Sequence, residues 1–372
     1  MKPTLESLKN QCQDVDEQLI TDHLGRLEDE YFKVFSFDQI CSHLYGIAQI
    51  SAKHPVTIVF NRQQGRHIDC TILAYDYPFE FSLITGILAA TGYRIISGSI
   101  FTYSRMEPPP EKRPAGKSRK RIRINLRTVE SAEEQSFSRR RIIDSFSGVL
   151  EGSESFSLWT IEVQSRMQEI FTLLEAQTAE SLTRAKQRVN ELVSASLSKL
   201  QIDSLATLYP MHIEVMEGDQ RRTRMRVLTE DTPFFLFSFS TALSLKDISI
   251  ERVKILTSHH RIEDEFAFVD SLNGNKLDTN RLNDVKLSLL LTKQFTYFLG
   301  KAPNPYNAIV RFERMLNDIL KAPAQDRLID LISNPRIMQD LAKLLGTSDF
   351  LWEDFIRLQY ENLLPLLGPH LE

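Results

Sequence analysis

The sequence lacks the features that mark several classes of protein. Its 372 residues include only 14 glycines and 15 prolines, which excludes a collagen-like chain and a long disordered linker. The 45 basic and 49 acidic residues nearly cancel, and a net charge of −4 does not favour nucleic acid or an anionic membrane as the main partner. No apolar run approaches the roughly 20 residues of a membrane helix, and the N-terminus has no signal-peptide core.

Cysteine is equally scarce. Cys12, Cys41 and Cys70 are odd in number and far apart in sequence, so they form no CxxC pair and predict no disulfide framework. We therefore expect a cytoplasmic protein. We also expect no metal or cofactor in this chain, with Mg²⁺ and ATP needed only if a catalytic region is present elsewhere.

The remaining composition, 42% hydrophobic and 25% charged, is that of a globular protein. Apolar residues at three- and four-residue steps predict helices over residues 1–54, with Ser36 as one N-cap. Residues 157–205 contain no glycine or proline and predict a long helical segment. Ser138 is expected to start a helix that ends near Leu150, and residues 301–372 are again helical.

An internal repeat organises the middle of the chain. A shift of 155 positions aligns residues 57–104 with 212–259 without a gap. Each copy predicts a strand, an Asp-x-Pro turn, a helix, two strands and a helix, with an additional hairpin strand in front. In the first copy the second of those two strands is placed at residues 121–129. This alternation is typical of ferredoxin-like βαββαβ domains, so we predict an α+β protein with two of them.

The Asp-x-Pro turns are the candidate ligand sites. Proline suits the first position of a helix, and Thr232 is expected to be the N-cap in the second copy. The free N–H groups of such a helix start suit a small carboxylate. The candidate binding residues are Asp76, Tyr77, Pro78, Phe79, Asp231, Thr232, Pro233 and Phe234.

These residues also carry a resemblance to a known family. The segments 231–257 and 264–276 resemble the ACT domain, a small-molecule regulatory module, and above all the ACT repeats of bacterial PII-uridylyltransferase. Residues 30–44 resemble the stretch that precedes those repeats. Residues 312–323 and 341–367 resemble the start of glutamine-synthetase adenylyltransferase, ahead of its first catalytic domain.

The resemblance implies an arrangement of modules and a function. A helical region at 1–54 would precede ACT-like domains at 55–152 and 207–300, joined by a helical connector at 153–206. The tail at 301–372 would correspond to the adenylyltransferase start. The implied function is amino-acid sensing in nitrogen metabolism, with glutamine as the usual signal and glutamine synthetase or PII as partner proteins.

Two departures from the family keep other functions open. Phe79 and Phe234 stand where the family has glycine, and their bulk favours a ligand-free interaction scaffold. No Gly-Ser turn with a following Asp-x-Asp pair, which would hold Mg²⁺ and ATP for nucleotidyl transfer, is present. A transferase with an unrecognised site is the third alternative, with Asp14, Asp16 and Asp349 as its candidate acids.

Three further patterns have simpler interpretations. His259 and His260 beside Glu263 and Asp264 are metal-ligand types, but they fall in a predicted turn. The basic stretch 112–127 lacks interleaved aromatic residues, so a protein or nucleotide contact is favoured over nucleic acid. The phenylalanines that follow Pro233 are read as core at 235 and 239, with Phe234 left open.

Overall fold

A continuous antiparallel sheet of eight strands runs through the described part of the chain. The computed structural model describes residues 2–63, 65–105, 139–152, 155–199, 211–319 and 335–347. The strands are β1 Val56–Arg62, β2 His67–Tyr75, β3 Tyr93–Thr102, β4 Arg141–Leu150, β5 His212–Met216, β6 Thr223–Glu230, β7 Ile248–Ser258 and β8 Arg261–Asp270. Their order across the sheet is β1-β2-β4-β3-β7-β8-β6-β5.

Helices precede, interrupt and follow these strands. The helices are α1 Leu5–Gln11, α2 Glu17–Arg26, α3 Tyr31–Val34, α4 Phe37–Ala48, α5 Glu80–Ala90, α6 Phe156–Glu175, α7 Ala179–Leu197, α8 Phe235–Leu245, α9 Thr279–Phe298, α10 Pro305–Ile319 and α11 Pro335–Leu345. None of these described helices has the length and apolar character needed to cross a membrane.

The strand order divides the sheet into two halves, β1–β4 and β5–β8. They join at the seam, where β3 pairs with β7 from Ser97↔Leu256 to Phe101↔Arg252. The two halves keep the 155-residue offset of the sequence repeat, because α5 and α8, and likewise β3 and β7, start 155 positions apart. Both β3 and β7 also carry a register shift at the same place, between Ile95 and Ser97 and between Ile250 and Arg252. The repeat is therefore present in the fold as well as in the sequence.

Among the described elements, each half runs ββαββα, with its hairpin strand first and at the outer edge of the sheet. This is the order that the repeat predicts, and it differs from the βαββαβ order of the ferredoxin-like class, in which a strand comes last. The predicted helix from Ser138 to Leu150 is wrong, because residues 141–150 form β4. β4 lies between β2 and β3, and Ile142 and Ile143 are both buried, one on each face. Burial on both faces removes the alternation that marks a strand in sequence. The strand predicted at 121–129 lies outside the described residues.

The helical segment predicted at 157–205 contains two helices, α6 and α7. Gln177 takes a left-handed φ of 50°, and Thr178 starts α7 with a capping box shared with Ser181. Capping side chains end and restart a helix as effectively as glycine or proline. The Trp159 ring of α6 stacks on Tyr93 at 5.2 Å, so α6 packs on the first half of the sheet although it falls in the predicted connector.

The helices on the same face of the sheet as α6 meet across the seam. α5 packs against α8 of the other half and against α7. A Cβ on Gly86 would lie 2.7 Å from Val189 and 2.8 Å from Phe237, so the three helices approach too closely there for any larger residue.

The N-terminal helices cover the opposite face of the first half. Tyr31 packs edge-on against Phe101 of β3 at 5.4 Å. Buried Asp22 of α2 pairs with Arg141 of β4 at 2.9 Å and with Arg26 at 3.3 Å. The predicted N-cap Ser36 is confirmed as part of a capping box on α4. These contacts hold the N-terminal helices on the first half, and Glu28 also pairs with Arg222 of the second half at 2.5 Å.

Candidate functional site

The two Asp-x-Pro segments form the same tight turn. The Glu80 N–H donates to the Tyr77 carbonyl at 3.2 Å, and the Phe235 N–H donates to the Thr232 carbonyl at 3.1 Å. Proline in the second position and a left-handed residue in the third are the features of a type II turn. The proline is thus a turn residue and not the first helical residue, and the expectation of Thr232 as N-cap is wrong. The N-cap is Phe234, as Phe79 is in the first half.

Both phenylalanines are strained. Phe79 has φ 67° and Phe234 has φ 59°, in a region that a side chain makes costly by about 1 to 2 kcal/mol. Neither side chain caps its helix, so the first-turn N–H groups of α5 and α8 receive no side-chain cap. Strain of this kind persists where the surroundings over-determine the backbone, and it concentrates at binding sites.

Each turn faces the opposite half of the sheet. The turn at Asp76 lies against residues 247–250, where β7 begins, and the turn at Asp231 lies against residues 92–95, where β3 begins. Two related cavities result, one on each side of the seam. The Asp76 cavity has a volume of about 170 Å³ and the Asp231 cavity about 460 Å³.

The Asp231 cavity combines an apolar lining with a buried acid. Phe234, Phe235 and Phe237 line it from α8 and its turn, and Asp264 lines it from the sheet. Burial raises the pKa of Asp264 to about 8, although its Oδ1 accepts a hydrogen bond from the Leu256 N–H at 3.0 Å. At neutral pH this carboxyl is therefore mostly protonated and can donate a hydrogen bond into the cavity.

Charged groups surround the turn at the same end. Burial raises the pKa of Asp231, while the positive charges of Arg94, His260 and Lys293 oppose that rise. Lys293 of α9 is itself buried, which lowers its pKa to about 8, and its Nζ donates to Thr229 Oγ1. The site thus offers polar groups of both signs beside an apolar slot, as a ligand carrying a charge and an uncharged part requires.

The Asp76 cavity also has acids beneath it. Glu80 and Asp144 are buried, and burial followed by the charge of neighbouring acids raises the pKa of each well above its usual range. Asp144 is the counterpart of Asp264, because Asp144 pairs with Ile72 and Asp264 with Val227, 155 positions on. A buried acid under the turn is thus common to both halves.

A third cavity, of about 500 Å³, lies on the outer side of the Asp76 turn. Arg139 binds both carboxylate oxygens of Glu175, at 3.0 and 2.9 Å, and its guanidinium lies 3.7 Å from the centre of the Tyr75 ring. The charges of Arg139 and Glu175 are thus already matched.

The residues of each predicted set form one turn in the structure. Each turn lies against the opposite half of the sheet. Sequence reasoning missed Asp144, Arg140 and Lys293, and it assigned no binding role to Asp264. Comparing the last strands of the halves would have shown Asp144 and Asp264 as a pair, each the fourth residue of its strand.

The other candidate residues have structural roles or lie elsewhere. His259 and His260 are exposed and form the two-residue turn between β7 and β8, with φ 51° and 61°. Asp16 caps α2 by accepting from two backbone N–H groups, and Asp349 lies outside the described residues, as does the basic stretch 112–127. Within the described ranges, no three histidine, cysteine or carboxylate side chains are grouped to hold a metal ion.

Comparisons of the chain with protein-family models, with curated proteins and with solved structures gave no match.

Proposed function

We propose that this protein is a regulatory module that binds a small amino acid in the Asp231 cavity. The observation that carries the proposal is the cavity of about 460 Å³ at the seam, closed on one side by a strained turn and on the other by the opposite half. A ligand at this position contacts both halves at once, so its binding free energy depends on how the halves are arranged. That dependence is what a sensor requires.

The finer part of the proposal is that each half is an ACT-like unit. The resemblance in residues 231–276 supports it, and so do the four-stranded antiparallel half-sheets that pack two helices on one face. The first-turn N–H groups of α8, which no side chain caps, suit the carboxylate of an amino acid. The apolar lining suits the aliphatic part of its side chain.

The proposed output is nitrogen signalling, in which glutamine is the first ligand to try and glutamine synthetase or PII is the partner. This part rests on the resemblance of the tail to glutamine-synthetase adenylyltransferase. Most of that resemblance lies beyond residue 347, outside the described chain.

The experiment is calorimetric titration of the full chain with each of the twenty L-amino acids. We expect saturable heat with a subset that includes glutamine. Ala89 lines the cavity from α5, so Ala89→Trp fills it and is expected to weaken binding at least tenfold.

The matched control is Ala52→Trp, which adds the same side chain at an exposed position before β1. It should bind like the wild type. Absence of heat with all twenty amino acids would overturn the proposal in favour of a ligand-free scaffold. Equal weakening by both tryptophan variants would move the site away from the Asp231 cavity.

A further inference from the structure

The two sides of the seam differ in how their turn aspartate is neutralised. At the first side, Asp76 Oδ2 lies 3.1 Å from Arg140 Nε, and Arg140 Nη2 lies 3.6 Å from Glu251 Oε1 of the other half. Glu251 is buried and also pairs with Arg221 at 3.0 Å. Arg140 Nη1 reaches Ser249 Oγ at 3.5 Å. The first side of the seam is therefore bridged by a charged network that belongs to the chain.

At the second side both members of that bridge are replaced. The Asp76 N–H donates to the carbonyl of Arg140 and the Asp231 N–H to that of His260, so His260 is the counterpart of Arg140. The register shifts make Ile96 the counterpart of Glu251. His260 is exposed and Ile96 is uncharged. Among the described residues, no basic side chain lies within 4.0 Å of the Asp231 carboxylate, and the positive charges of Arg94 and Lys293 act on it from farther away.

The cavities at the two turns also differ in volume. The cavity between the Asp76 turn and β7 has about 170 Å³, and the cavity between the Asp231 turn and β3 has about 460 Å³. Arg140 itself lines the separate cavity of about 500 Å³ on the outer side of the Asp76 turn. The turns themselves are alike in sequence spacing, hydrogen bond and backbone conformation. Each side also has charged groups that the other lacks. Arg140 and Glu251 belong to the first side, whereas Arg94 and Glu151, which pair at 2.7 Å, line the cavity of the second side.

We propose that Asp231 binds the cationic ammonium group of the ligand, and that the chain binds one ligand and not two. Arg140 shows which partner this turn aspartate takes: a cation that bridges to the opposite half. In the first half the chain supplies that cation, and in the second half the ligand does. This inference rests on the proposed function, and it adds the ligand group that is recognised and the number of ligands bound.

The test compares L-glutamine, or whichever amino acid of the twenty gives the largest heat, with its N-acetyl derivative, which has no ammonium group. We expect a stoichiometry of one and at least a tenfold loss of affinity on acetylation. Asp231→Asn keeps the size of the side chain and should cause a similar loss. Asp76→Asn is the matched control at the bridged side and should leave the affinity within twofold.

Hydrogen exchange of the wild-type chain supplies a readout that needs no variant. The ligand should protect peptides that cover residues 92–95 and 231–237, and leave those at 76–81 and 247–251 unchanged. A stoichiometry of two, protection at both sides, or equal affinity for the acetylated amino acid would overturn this inference and leave the proposed function standing. Absence of heat with every amino acid would overturn both.

Discussion

The buried carboxyl of Asp264, which lines the Asp231 cavity, makes the stability of the protein depend on pH. Burial raises its pKa from 3.8 to about 8. The folded state then binds more protons than the unfolded state between these two values, so the free energy of unfolding falls as the pH rises through that window. Each pH unit inside the window is worth about 1.4 kcal/mol. From pH 4 to pH 7 this carboxyl alone should therefore cost about 4 kcal/mol of stability.

Asp264→Asn isolates this contribution. The amide oxygen can still accept from the Leu256 N–H, and the side chain no longer titrates. We expect the variant and the wild type to have similar stability at pH 4, and the variant to be more stable by about 4 kcal/mol at pH 7. Other buried acids, including Asp144, titrate in both proteins and cancel in the difference.

The assay is denaturant unfolding at closely spaced pH values, followed by tryptophan fluorescence. The difference between the two free energies of unfolding is plotted against pH, and the denaturant slopes should agree so that the comparison is between like transitions. A difference that does not change between pH 4 and pH 7 would refute the argument, because it would mean that Asp264 ionises as easily in the folded chain as in the unfolded one.

Two backbone predictions concern stability alone. Phe234→Gly should be more stable than Phe234→Ala by about 1 kcal/mol, because φ of 59° favours glycine, and equal stabilities would refute the strain. Gly148→Ala should lose about 2 kcal/mol, because its Cβ would lie 2.4 Å from the Arg94 carbonyl oxygen. Gly25→Ala, in open space on α2, should gain up to about 1 kcal/mol, and similar effects of both alanines would contradict the close strand packing. Thermal unfolding measures all four variants.

The sequence predicts well those elements whose pattern is local. The hairpin strands, the helix after each turn and the strand that follows it are found at the predicted places, and the 155-residue offset aligns them in both halves. Each of these has a clear period and a nearby breaker, such as the proline of the turn. β4 has no such period, because both of its faces are buried. Its apolar residues fall at 142, 143, 146, 149 and 150, and this spacing resembles that of a helix.

The candidate site is less predictable, because it depends on contacts between distant segments. Asp231 lies opposite residues 92–95 only because β3 pairs with β7, and no local pattern encodes that pairing. The residues that distinguish the two sides are equally hidden. Arg140 and His260 lie outside the gapless alignment of the repeat, and Glu251 aligns with Ile96 as one mismatch among many.

The difference between the two sides of the seam follows from the cost of burying a carboxylate. A half-buried aspartate in a turn needs a cation, and Arg140 meets that need for Asp76 by reaching Glu251 of the other half as well. Asp231 has the same turn and the same strained neighbour, and it lies near the buried acid Asp264, but no described basic side chain forms an ion pair with it. The charges of Arg94 and Lys293 act on Asp231 only from a greater distance, so they offset less of the cost of burying its carboxylate. The proposed ligand, with its ammonium group, would remove much of that cost on binding, because it would place a cation beside Asp231 as Arg140 does beside Asp76.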